Sequence, residues 1–106
     1  MLILTSETVA NHRIVKTLGL VRGNTVRARH VGRDILASFR NIVGGEIHEY
    51  TKLMAESREQ TIDRMSAEAL RLGANAIVTT RFTTSVILGG AAELLAVGTA
   101  VLVEPE

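Results

Sequence analysis

A chain of 106 residues is the length of one small domain, and with 46% apolar residues it can bury a core without covalent staples. It holds no cysteine, which excludes a disulfide framework, thiolate metal sites and cysteine nucleophiles together. Phe39, Tyr50 and Phe82 are its only aromatic residues and the net charge is +1, so nucleic acid finds neither a stacking platform nor a strong field.

Residues 1–106 read as a single domain. Leu2 to Thr5 forms a short strand, and Ser6 to Asn11 a polar connection. The start of the chain has no basic region and too short an apolar run for a secretory signal. From Arg13 to Ala28 the chain is rich in Val, Leu and Thr, with Gly23-Asn24 a turn or bulge signal, so Ile14 to Val21 is one strand and Thr25 to Ala28 a second piece or an extension of it. Asp34 to Val43 reads as a helix, because Ile35, Leu36, Phe39, Ile42 and Val43 make one stripe and Gly44-Gly45 stops it. A longer helix follows from about Ile47 to Leu72. Tyr50, Leu53, Met54, Ser57, Thr61, Met65, Ala69 and Leu72 share one face, Lys52/Glu56 and Arg64/Glu68 lie at i, i+4 on the other, and Gly73 ends it.

Ala76 to Thr84 is β-branched and aromatic, which suits a strand. Gly89-Gly90 turns the chain, and Ala92 to Val103 forms a last strand with Gly98 at a bulge. The stretch Val86 to Val103 is apolar but carries Glu93 and the glycine pair, and falls short of the roughly 20 residues a bilayer needs. The order β-β-α-α-β-β predicts an α+β fold, an antiparallel sheet with two central helices packed on one face. No proline interrupts a strand and nothing in the sequence blunts the sheet edges, so a homo-oligomer is expected.

Arg33-Asp34, Ala37, Arg40-Asn41 and Val43-Gly44-Gly45 form a run that resembles a segment of the YbjQ family. Tyr50, Leu53 and Ser57-Arg58 fall where that family has a tyrosine, a leucine and a small residue before arginine. Gly73-Ala74-Asn75-Ala76-Ile77-Val78 is similar to its strand entry, Gly98-Thr99-Ala100-Val101 to its closing motif, and Gly19 to Gly23 to an early strand turn. The similarity spans roughly residues 10–103 with the motifs in order. It implies an α+β fold, ring-like homo-oligomers (most often pentamers) and heavy-metal binding, with no catalytic residue set. The chain departs from the family at Glu46, where relatives often carry arginine, and at Thr79-Thr80. It also lacks the cysteine thiolates that heavy metals prefer.

The metal-ligand candidates are Glu46, His48 and Glu49, a set suited to a borderline divalent ion. Neighbours this close on one helix do not converge, so a second segment or subunit must complete the site; otherwise they are the polar first turn of a helix. Residues 11–40 hold seven basic residues and one acid, whereas 41–106 hold five and nine. The basic run Arg22, Arg27, Arg29, His30 and Arg33 could line an anion site, and Arg58, Tyr50 and Glu93 could bind an anion or join subunits; the plainer reading is a solvated face with salt bridges to the acidic helix. Glu93 in an apolar strand needs a partner such as Arg58 or Arg81 if it is buried.

No nucleophile and base are framed by a known setting. The sequence therefore predicts a small cytoplasmic homo-oligomeric binding or structural protein, with a divalent metal ion implied by resemblance. Its rivals are an anion or small-molecule module at subunit interfaces, and an enzyme whose interface site uses Glu46, His48, Tyr50 and Arg58.

Overall fold

The computed structural model describes residues 1–27, 48–87 and 91–106, with the backbone alone at 48–51, 87 and 91. Its elements are β1 (Leu2–Ile3), β2 (His12–Arg27), α1 (His48–Arg71), β3 (Ala76–Ile87) and β4 (Ala91–Pro105). The strands form one sheet in the order β1-β3-β4-β2. β2 and β3 each pair antiparallel with β4, but β1 runs parallel to β3. The sheet is therefore mixed rather than antiparallel. The described residues hold one helix; the helix expected over 34–43 lies outside them.

α1 lies across one face of the sheet. Its buried line is Ser57, Thr61, Met65 and Ala69, each 1% exposed or less and spaced four apart as helical periodicity requires. Leu72, expected on that line, is 44% exposed, because the helix has already closed. The amide of Gly73 donates to Leu70 O and that of Ala74 to Ala69 O, while Gly73 takes φ +87°. This pair of bonds caps the helix with a left-handed glycine. Under α1 lie Val21, Ile77, Ala96 and Ala100, with Met65 and Ala69 above them. On the other face Ala76, Val78, Val101 and Val103 make a smaller cluster, packed against Val9.

β2 is one strand through Arg27, so the stretch from Thr25 is an extension and not a second piece. Gly23 is no turn: a Cβ there would run into the carbonyl oxygen of Thr61 and the amide nitrogen of Met65. Glycine lets the helix backbone lie on the strand. Near Gly98 the bulge sits on β3, across from it, where Thr79 and Thr80 together oppose that one residue. A Cβ at Gly98 would crowd the side chain of Ile77. Thr79 takes φ +54°, a strained conformation for a β-branched residue. The chain after β1 holds the bulge in place: the amide of Thr79 donates to Ser6 O at 2.9 Å and that of Thr80 to Leu4 O at 2.9 Å.

The sheet edges are better guarded than the sequence suggested. β1 is two residues long, and β2 carries Arg13, Lys16 and two bulges, at 14/16 and 17/19. Only the second half of β2, residues 20–27, pairs without interruption and leaves a regular outer edge. Asn75 extends β4's pairing at the opposite end. Its Nδ2 donates to Val103 O at 2.9 Å, and its Oδ1 accepts from Val103 N at 2.8 Å.

Candidate functional site

The side chains of α1 divide into three sets. The first is a buried hydroxyl cluster. Thr25 of β2 is hydrogen-bonded to the Ser57 hydroxyl and lies 3.0 Å from Thr61 Oγ1, and Thr61 Oγ1 donates to Ser57 O at 2.8 Å. All three are 2% exposed or less and fully partnered. They tie helix to strand and are shut off from any substrate.

The second set is a shallow groove of about 480 Å³, lined by Arg27, Ala55, Glu56, Glu59, Gln60 and Asp63. Glu56, Glu59, Gln60 and Asp63 fall at i, i+3, i+4 and i+7, which places them on one face. Arg27 closes the groove from β2, with Nη2 donating to Gln60 Oε1 at 2.8 Å. Its Nε is buried without a partner among the described residues. Three carboxylates against one guanidinium favour a cationic or amide-bearing group over an anion. The acidic helix face was legible in the sequence as the positions opposite the buried line. Arg27 was not, because it arrives from a strand some thirty residues away.

The third set holds the residues singled out from the sequence. His48, Glu49 and Tyr50 begin α1 as successive positions. Glu46, Arg29 and Arg33 lie outside the described residues. Arg58 is exposed on α1. Glu93 pairs in register with Val26 and Ser85, on the sheet face away from α1, so the fold keeps it apart from Arg58 within one chain. Its partner is Asn24, whose Nδ2 donates to Glu93 Oε2 at 3.3 Å. Arg81 also goes elsewhere: Nη1 donates to Thr5 O at 3.1 Å and to Thr80 O at 2.8 Å. The Lys52/Glu56 and Arg64/Glu68 pairs do not form, and Arg64 donates to Asn24 O instead. Among the described residues the one ion pair is Arg13–Glu104, 3.4 Å apart and exposed.

No three His, Asp or Glu side chains among the described residues converge to hold a metal ion. None of the described helices is long and apolar enough to cross a membrane.

A helix on one face of a thin mixed sheet defines a small α+β protein. The family is settled by comparison. The chain matches, over residues 1–104, the sequence model of the family YbjQ_1, described as "Putative heavy-metal-binding", and it belongs to that family. It is 56% identical over 104 residues to a UPF0145 protein of Dehalococcoides mccartyi, covering 98% of this chain and all of that one. A UPF0145 protein of Archaeoglobus fulgidus is 56% identical over 101 residues, covering 95% of this chain and 94% of that one. The fold is similar to the crystal structure of a protein of unknown function in the DUF74 family from Pediococcus pentosaceus. There the TM-score is 0.65 with 16% identity, over 98% of both chains.

Proposed function

We propose that this chain is a cytoplasmic homo-oligomer that binds its ligand at subunit boundaries and is not an enzyme. The observation that carries the reading is the shape of the sheet. The Cα radius of gyration is 17.3 Å and the extents are 56 × 25 × 16 Å. A compact domain of this length has a radius of gyration of about 13 Å. The long axis is close to the length of one 16-residue strand at about 3.4 Å per residue. So thin a body leaves Leu20 66%, Val26 53% and Val86 85% exposed, and neighbouring copies would cover them. The regular outer edge at residues 20–27 of β2 offers such a copy its backbone groups. A ring, five copies by family resemblance, closes without leaving an edge.

The metal part of the proposal rests on the family's description. Glu46, His48 and Glu49 are its ligands, with a second copy completing the set. A chain with no cysteine suits Zn²⁺, Cu²⁺ or Ni²⁺ better than a soft heavy metal. Arg29, Arg33, Arg58, Tyr50 and Glu93 are the proposed interface and anion residues. Native mass spectrometry of tag-free protein, with and without those three ions, tests the whole reading. A multimeric mass with saturable metal that drops in His48→Ala and Glu46→Ala supports it. Unchanged stoichiometry in both variants removes these ligands, and a monomer removes the assembly.

A further inference from the structure

The sheet face turned away from α1 carries charges in a pattern that fits a second copy of itself. Three rows cross this face. Arg22, Val97 and Arg81 lie side by side in one row, Asn24, Leu95 and Thr83 in the next, and Val26, Glu93 and Ser85 in the third. The first row is positive on both flanks and the third is negative at its centre, with Leu95 midway between them. Among the described residues Arg22 has no carboxylate partner and the carboxylate of Glu93 has only the 3.3 Å contact from Asn24. Arg81 is anchored through Nη1 to two backbone carbonyls, and a guanidinium has further N–H donors to offer.

Two copies can meet face to face through a twofold axis lying in the plane between the sheets. If that axis ran along the strands, each row would meet itself, with Arg22 over Arg81 and Glu93 over Glu93, which like charges oppose. If it ran across the strands at Leu95, the first row would meet the third. Glu93 of each copy would then sit over Val97 of the other, between Arg22 and Arg81.

We infer that this face is an isologous docking surface for a second copy of the chain, with the twofold axis crossing the strands at Leu95 and Glu93 seated between Arg22 and Arg81 of the facing sheet. Sheets packed in this aligned way have interdigitating side chains, and here Leu95, Val97 and Val26 supply the apolar contact. The inference deepens the homo-oligomer reading above and rests on it. It uses the face of the sheet and leaves the outer edge of β2 available, so it is compatible with edge-to-edge closure. Three strands about 4.8 Å apart over a length of about 20 Å make a patch of roughly 300 Å² in projection. A standard interface buries about 800 Å² per partner, so the pairing is weak and charge fixes its register.

Sedimentation velocity on the full chain tests this, over a range of concentrations in about 25 mM and about 500 mM salt. Pairing is read as a doubling of the species that prevails when dilute and at high salt. The expected result is a doubling at low salt that weakens about tenfold at high salt. Glu93→Arg and Arg22→Glu should each weaken it about fivefold or more, and mixing the two variants should recover it, because opposite faces then meet. Both substitutions are on the open face, and circular dichroism reports whether each variant is folded. A wild-type assembly that ignores salt and both charge reversals overturns this docking surface and leaves the homo-oligomer standing. A chain that stays monomeric throughout overturns both.

Discussion

On the face under α1, alternate residues of β2 and β4 are small or wholly buried: Val21, Gly23 and Thr25 on one strand, Leu94, Ala96, Gly98 and Ala100 on the other. On the open face the intervening residues are Leu20, Arg22, Asn24 and Val26, against Glu93, Leu95, Val97 and Thr99. The strands are the same, and the period of two hands each face its own composition. Under the helix the constraint is volume, since backbone lies on backbone at Gly23. At these positions of the open face the constraint is charge, since their side chains are half-buried or exposed. Substitutions should therefore be costly for folding on the first face and nearly silent on the second, where they should act on association.

The most disruptive test of that contrast is Gly23→Val. Its side chain would meet the backbone of Thr61 and Met65, so the helix must lift, and we expect a loss above about 3 kcal/mol in urea denaturation. A loss under about 1 kcal/mol would mean that the helix does not bear on β2. Met65→Ala, at a wholly buried position, should cost about 3 kcal/mol by the same measurement. Ser57→Ala leaves the Thr25 hydroxyl with fewer partners and should cost about 1–2 kcal/mol. Thr79→Gly works in the other direction. Relief of a β-branched residue at positive φ should raise stability by about 1 kcal/mol, and no gain would show that the strap over the bulge needs the threonine. Smallest of all, Val26→Thr on the open face should change stability by less than about 0.5 kcal/mol. A large loss there would end the distinction between the two faces.

Much of this was readable in one dimension. The line Ser57, Thr61, Met65, Ala69 follows from helical periodicity, and the stop at Gly73 from the conformational freedom of glycine. The hairpin of β3 and β4 follows from two β-branched runs flanking Gly89-Gly90, and Ile87 does pair with Ala91 beside that glycine pair, which lies outside the described residues. Gly23 was misread because a glycine within a strand looks the same whether it serves a turn or a close approach. Only the helix above it distinguishes the two. The edges were misjudged for a similar reason: the shortness of β1 and the bulges of β2 depend on pairing partners far along the chain. The sequence offered Glu93 the partners Arg58, across a subunit boundary, or Arg81; within one chain it meets Asn24, because only the register decides which side and which row of the sheet Glu93 takes.

The sequence alone determined the class of fold, the family, the buried line of the helix and the absence of thiolate chemistry, since these follow from local periodicity, composition and motifs. The tertiary structure decided that β1 runs parallel to β3, that Arg27 meets Gln60 and that Asn24 meets Glu93 on the sheet face away from α1. Each of these joins residues far apart in sequence. Strand pairing and helix placement bring them together, and no local preference in the chain encodes such a meeting.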